Sequence, residues 1–405
     1  MKTKKFKLLF MTLAILFFVA CNKDDDDIAK TYTATITVKY PDGYDNTLAE
    51  GISVTFTNTL SGDTIKAITD ANGVATLKGL QSGTYSISAV GENEEFSFNG
   101  VLDNTTLSSD ASFEITLTAK ALGGGLVFKE IYYTGSKTPE DGRYYSDQFH
   151  EIYNNSDDTI YLDGLCIGVM QPNSSRESDW VDENGKLMDR LPLQFHVWYV
   201  PGDGDDYPLE ARTSIVIAQD GIDHKTDPAG NPDSPVNLGN ANWETYCGDI
   251  NNGKDADAPG VPNLSMMFTT STKMYDWLHS VFGAGVIIFR LPDGTDPVAW
   301  AQNPSNLMTR PGSTSTKEYL MVPKEYVIDA VEVVRAEENK RHKRIPADLD
   351  AGKVWCSGTY VGESIRRKVK QIIDGKVIYK DTNNSTEDFL GSQTPTPFIH
   401  PTAVD

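Results

Sequence analysis

What most constrains this chain is an alternation. From Thr31 to Val38 it reads Thr-Tyr-Thr-Ala-Thr-Ile-Thr-Val, β-branched and aromatic residues that suit a pleated strand. Pro41, Asp42 and Gly43 then turn it. Between Gly51 and Asn58, Ile52, Val54 and Phe56 alternate with Ser53, Thr55 and Thr57, a period of two that buries one face of a sheet and wets the other. Similar runs cover 64–68, 73–77, 83–89 and 112–117, parted by turn residues at spacings of about ten. The pattern predicts an all-β protein of two β-sandwich, immunoglobulin-like domains, the second larger, with long loops and one or two short helices.

The stretch Thr69-Asp70-Ala71-Asn72-Gly73-Val74-Ala75-Thr76-Leu77, followed by Leu80, Gly83, Thr84-Tyr85 and Ile87, resembles the carboxypeptidase-regulatory-like (prealbumin-like) sandwich. The resemblance implies a domain over 31–120 that serves as spacer or accessory and carries no catalysis. Gly123-Gly124-Gly125 reads as a short hinge, which places the boundary there.

The second domain is expected over 126–405. Leu126 to Tyr133 opens as a strand, and Phe149-His150-Glu151-Ile152-Tyr153-Asn154 with Leu162-Asp163-Gly164 resembles the lamin-tail domain, an immunoglobulin-like sandwich. Ile152 stands where that family has Leu. Ser214 to Ala218 and Val286 to Phe289 are continuous apolar runs that read as central strands. Met274, Trp277, Leu278, Val281 and Phe282 recur at helical spacing, and Gly283 follows, so a short helix is expected over 272–282. The phrases Trp198-Tyr199-Val200-Pro201-Gly202-Asp203-Gly204, Ile217-Ala218-Gln219-Asp220 and Asp381 to Phe389 resemble a family of Bacteroidota surface lipoproteins known only as a domain of unknown function. That resemblance implies secretion, lipidation and a β-rich fold, and offers no catalytic residues.

The N-terminus is an address. Lys2, Lys4, Lys5 and Lys7 precede an apolar run from Leu8 to Ala20, a signal-peptide pattern too short for the ~20 residues that span a bilayer. Phe18-Val19-Ala20-Cys21 resembles a bacterial lipobox, with Phe18 in place of the usual Leu. It implies removal of residues 1–20 and acylation of Cys21, by palmitate or a like chain, so that outer-membrane lipid is a partner. Asn22, Lys23 and the aspartates Asp24, Asp25, Asp26 and Asp27 make an acidic tether over 21–30. The run resembles a surface-export signal and implies a lipid-anchored protein of the outer membrane facing the medium; a plain solvated linker is the alternative.

Chemistry is sparse. Lys+Arg 36 against Asp+Glu 57 gives a net charge of −21, a field that repels phosphate backbones and excludes nucleic acid as a partner. No nucleophile elbow, phosphate loop or paired Cys motif occurs. Beyond Cys21, Cys166, Cys247 and Cys356 can form at most one bridge, and three buried thiols are expected. His224, between Asp220 and Asp223, is the best catalytic candidate, as a base or ligand, against the reading that Asp and His in such a loop cap turns. Calcium is the one cofactor considered: Asp203, Asp205, Asp249, Asp255 and Asp257 lie in acidic loops, though none has the closing glutamate of a calcium loop, and solvated turns are the alternative. Lys340 to Arg344 reads as a solvated basic loop, and Trp180, Trp198, Trp243, Trp300 and Trp355 as core rings rather than a sugar-stacking patch. The sequence thus reads as a non-enzymatic cell-surface lipoprotein, a binding or accessory component for a nutrient ligand, a glycan or an outer-membrane protein. The alternatives are a structural spacer or adhesin, and a secreted hydrolase with a loop site near His224.

Overall fold

The computed structural model describes residues 30–405 apart from 45–47, 94, 122–123, 173–175, 252–254, 256, 272–273, 275 and 278. The signal segment, Cys21 and the acidic tether lie outside the described residues. No described helix is long and apolar enough to cross a membrane.

The alternating runs of the first hundred residues become two facing sheets. One has the order Val74–Gln81, Thr31–Lys39, Ala111–Thr116. The other runs Thr64–Ile68, Ser53–Asn58, Gly83–Glu92, Phe96–Leu107, Thr118–Ala121. Ala34, Ile36 and Val38 meet Val54, Phe56, Ile87 and Ala89 in one core, while the intervening threonines and serines face outward. In the Thr69–Leu77 stretch the Asp70 carboxylate accepts the N–H groups of Asn72 and Val74. Gly73 has a φ of 70°, and a Cβ there would stand 2.7 Å from the Val38 carbonyl oxygen, so only glycine fits this turn.

From Leu126 onward the strands pair among themselves. A six-stranded sheet has the order Trp243–Glu244, Ser214–Ala218, Phe149–Asn154, Leu126–Tyr132, Ser364–Arg367, Phe389–Gln393. A seven-stranded sheet runs Leu307–Thr309, Glu318–Pro323, Arg190–Tyr199, Leu165–Met170, Gly285–Arg290, Val327–Glu332, with Ser265–Thr269 also beside Arg190–Tyr199. Phe128, Ile131, Ile152, Ile215 and Ile217 of the first sheet pack on Ile167, Val169, Trp198, Val286 and Ile288 of the second. This is the larger sandwich the sequence predicts. Short helices appear at Gly248–Asn251, Pro297–Gln302 and Ser385–Asp388.

The outer face of the six-stranded sheet is covered too. Tyr132, Phe149, Val216 and Ala218 lie under Val236, Leu238, Ala241 and Val261, while Val127 and Tyr153 lie under Val369, Val377 and Tyr379. Burial on both faces explains why these strands read as continuous apolar runs. In the Leu126–Tyr132 strand the alternation also slips, because Glu151 pairs with Glu130 but Ile152 pairs with Phe128. Lys129 is therefore the extra residue of a β-bulge, and the bulge turns Lys129 and Glu130 to the same outer face.

Three expectations change in detail. The helix over 272–282 is absent from its described residues. Gln148 accepts the His279 N–H at 3.1 Å and donates to the His279 carbonyl at 2.8 Å, taking the backbone groups a helix would pair internally. Trp277 and Val281 are buried all the same. Lys340 to Arg344 is no solvated loop: Arg344 is buried against Glu332, Lys343 donates to the Asp350 and Gly352 carbonyls, and Arg341 lies 3.7 Å over the Trp355 ring. Cys166, Cys247 and Cys356 are all buried free thiols, and burial pushes Cys166 and Cys356 up to about 12.

Candidate functional site

The loops at one end of the six-stranded sheet gather carboxylates. Residues 144–148 lead into the Phe149–Asn154 strand, 219–224 leave the Ser214–Ala218 strand, 245–258 follow Trp243–Glu244, and 276–284 precede Gly285–Arg290. They bring together Asp147, Asp220, Glu244, Asp255 and Asp276. Asp255 and Asp276 are buried, and Asp220 and Ser146 are half-buried. Ser146 Oγ stands 3.4 Å from Asp276 Oδ2, and the Cys247 N–H donates to Asp255 Oδ2 at 2.6 Å.

The strongest charges acting on Asp220 and Asp276 are those of other acids. Burial, then Asp255, lifts Asp220 to about 7. Burial, then Asp220 and Asp255, lifts Asp276 well above the carboxylate range. Burial also raises Glu244 to about 7 and Asp147 to about 6. The Cys247 thiol beside them is pushed up by burial and then by Asp255, Asp276 and Asp220. A buried carboxylate is costly to ionise unless a positive partner stands near, so Asp220 and Asp276 resist losing their protons while their neighbours are charged.

Asp147 and Glu244 already have structural work. Asp147 Oδ2 accepts from Tyr132, Ser136 and Ser234. Glu244 accepts the backbone N–H groups of Gly221 at 2.7 Å and Ala258 at 2.8 Å, tying two loops together.

His224 sits at this end but does not face the acids as a base. Its Nε2 lies 3.1 Å from the Asp220 carbonyl oxygen, which can only accept, so Nε2 carries the proton. Nδ1 then accepts from the Tyr144 hydroxyl at 2.8 Å. Both ring nitrogens are engaged, the ring is buried, and burial lowers its pKa to about 4. The Asp223 carboxylate turns away, accepting from the Lys225 N–H and the Thr226 hydroxyl as a turn cap. Asp220 and His224 are thus together, and Asp223 is apart.

A second polar cluster fills the middle of the same outer face, between its two apolar patches. Lys129 Nζ lies 2.8 Å from Glu151 Oε2 and 3.6 Å from Glu130 Oε2, all three side chains fully buried. Segment 396–398 is laid across them: Thr396 donates its N–H to Glu130 and Phe398 its N–H to Glu151. Ser214 Oγ is 3.4 Å from His400 Nε2, a spacing that suggests a nucleophile and its base. The hydrogen bonds say otherwise, for Ser214 gives its proton to Glu151 Oε1 at 2.6 Å. His400 is held at 3.2 Å by Tyr379, and burial, with Lys129, lowers it to about 4. The cluster fastens a strap.

A family model described as a protein of unknown function, DUF4876, matches residues 212–396. A crystal structure of a DUF4876 family protein from Bacteroides thetaiotaomicron is 30% identical, with a TM-score of 0.61, over 92% of this chain and 98% of that chain. The chain belongs to the DUF4876 family. No curated protein matches it. A type II cohesin–X-dockerin complex from Acetivibrio cellulolyticus (19% identity, 22% of this chain, 58% of that chain) has a TM-score of only 0.17. A DUF3823 family protein from Parabacteroides merdae (12%, 36% of this chain, 67% of that chain) has 0.18, and neither likeness carries an argument. Asp220, Asp255 and Asp276 all fall inside the DUF4876 match, whereas Ser146 and Gln148 are supplied from before it.

The calcium candidates named from sequence are scattered across this DUF4876 chain. Asp203 and Asp205 are exposed in a loop whose Gly204, Asp206 and Tyr207 N–H groups converge on the Asp163 carboxylate, so the loop already encloses an anion. Asp257 is exposed and accepts from Asn263, and the Asp249 side chain lies outside the described residues. Of the candidates whose side chains are described, Asp255 joins the buried group. Sequence reading missed Asp276, hidden in the expected helix, and Lys129, Glu130 and Glu151, hidden in apolar strands. Two shallow clefts, of about 320 Å³ beside Met188, Arg190 and Met308 and about 390 Å³ beside Ile160, Tyr161 and Arg290, touch neither cluster.

Proposed function

We propose that this DUF4876 protein is a non-enzymatic lipoprotein, anchored in the outer membrane through acylated Cys21 and presenting its β body to the medium as a binding or accessory component. The observation that carries the non-enzymatic half is the closure of His224: the imidazole that sequence offers as a base has both nitrogens engaged and is buried. Rigid sheets bearing long acidic loops suit a partner that recognises surface rather than one that is turned over. The anchoring half rests on the lysines, the apolar run and Cys21 followed by Asp24 to Asp27.

The two clefts lie at the lower end of small-molecule pockets, which run to ~1,000 Å³. The partner classes we retain are a nutrient ligand, a glycan and an outer-membrane protein. Metabolic labelling with an alkyne fatty acid tests the anchor: the wild type takes up label and Cys21→Ser does not. External protease should remove the body from intact cells. An unlabelled wild type, or a body protected in intact cells and cleaved only after lysis, would overturn the reading.

A further inference from the structure

We propose that the folded chain joins Lys129 Nζ to Glu151 Cδ by an amide bond, with loss of one water. Both side chains are already in place. Lys129 is the bulge residue that the Leu126–Tyr132 strand turns outward, and Glu151 stands on the neighbouring strand, in register with Glu130. Lys129 Nζ lies 2.8 Å from Glu151 Oε2 and 3.6 Å from Glu130 Oε2, and it donates to the Thr396 carbonyl at 3.3 Å. All three side chains are fully buried, with the N–H groups of Thr396 and Phe398 laid over the two carboxylates. Held in contact in this way, amine and carboxyl react as if each were present at very high concentration.

In water an ammonium and a carboxylate do not condense, because both stay charged. A dry site disfavours the charged forms, and a neutral amine does add to a neutral acid. Glu151 shows the effect: burial raises it above the usual carboxylate range, against the pull of Lys129 and Ser214. At Asp381 the balance is the reverse. Burial raises it, but Lys120 and Arg367 outweigh burial and hold it below that range, as in a common ion pair. The bond at Lys129 forms in balanced steps. The Lys129 ammonium gives one proton to Glu151 Oε2, and the freed lone pair attacks Cδ. Negative charge develops on Oε1, where the Ser214 hydroxyl already donates at 2.6 Å. Glu130 relays a second proton from the nitrogen to Oε2. The Cδ–Oε2 bond then breaks with its electron pair, and that oxygen leaves as water. Of the three ammonium protons one stays on the amide and two depart, Glu130 is returned unchanged, and no oxidant or co-reactant enters.

The test is peptide mapping of the purified full chain by mass spectrometry after denaturation and proteolysis. The wild type should yield a branched peptide that joins Lys129 to Glu151 and is one water lighter than its two parts. Lys129→Arg keeps the positive charge but should give only separate peptides. Glu130→Gln removes the relay, and the linked fraction at a fixed time after cell-free synthesis should fall about a hundredfold, the low end of what a positioned proton relay contributes. Separate peptides of full mass from the wild type overturn the bond, and that readout needs no variant to fold. Lys129 found joined to a different residue overturns the choice of Glu151. A linked fraction unchanged in Glu130→Gln overturns the relay. Cys21 enters none of these readouts, so the anchor stands or falls separately.

Discussion

Two buried polar clusters, one on the outer face of the six-stranded sheet and one in the loops at its end, are built to opposite rules. In the middle, Lys129 lies between Glu151 and Glu130, and Ser214, Ser364, Thr396 and Phe398 satisfy the remaining carboxylate oxygens. At the end, Asp220, Asp255 and Asp276 face one another, and the strongest charges on each of Asp220 and Asp276 are negative. A buried charge is tolerated when its counter-charge and hydrogen bonds are complete, and it drives protonation or ion capture when they are not. The first cluster is finished by the chain itself. The second holds on to protons instead.

The comparison breaks most sharply at Lys129. Lys129→Met leaves two buried carboxylates without their cation and should cost about 3–5 kcal/mol, read as a lower midpoint in urea. A loss below about 1 kcal/mol would mean that the first cluster is no better balanced than the second.

Next comes pH. Asp220, at about 7, lies above its unfolded value. The folded chain therefore keeps a proton that the unfolded chain releases from about pH 4. Stability tied to that proton is whole below pH ~4 and drains as pH rises through ~7. Asp220→Asn should therefore gain on the wild type as pH goes from 5 to 8, by about 1–3 kcal/mol, because the half-buried group is partly screened. Asp255, Asp276, Glu244, Asp147, Tyr144 and His224 surround the group, so the difference between the two curves reports Asp220 together with the neighbours its charge acts on, Asp276 first among them. A flat difference would remove the asymmetry between the clusters.

The smallest effect sharpens the contrast. Asp203→Asn and Asp205→Asn, exposed acids in neither cluster, should shift stability by no more than ~0.5 kcal/mol at any pH.

Much of the architecture was legible because burial follows simple periods. Ile52, Val54 and Phe56 point inward as their alternation requires, and the apolar runs at Ser214–Ala218 and Gly285–Arg290 are interior strands. The site was less legible for a physical reason. Asp220, Asp255 and Asp276 come from three loops whose approach depends on which strands are neighbours, and local sequence does not state that. Met274 to Phe282 carries helical spacing, but Gln148, more than a hundred residues earlier, claims the backbone of His279. Lys129 and Glu130 break the apolar rule of their strand, and the bulge that permits it is visible only in the pairing with Glu151 and Ile152. The all-β, two-sandwich reading needed none of this information.

One pairing sets a timetable. Ile365 and Arg366 sit beside Ile131 and Glu130, and Ser364 reaches Glu130 across 234 residues of chain. The Leu126–Tyr132 strand, made early, thus keeps an open flank until residues 364–367 arrive. Closing so long a span is slow, and an open flank of apolar strand invites pairing with a neighbouring chain. Synthesis halted before residue 364 should therefore yield aggregates of nascent protein, while the strands of the first sandwich, which all pair before residue 122, are complete by then and lack only the contacts of Asn99 and Lys120 with 381–383.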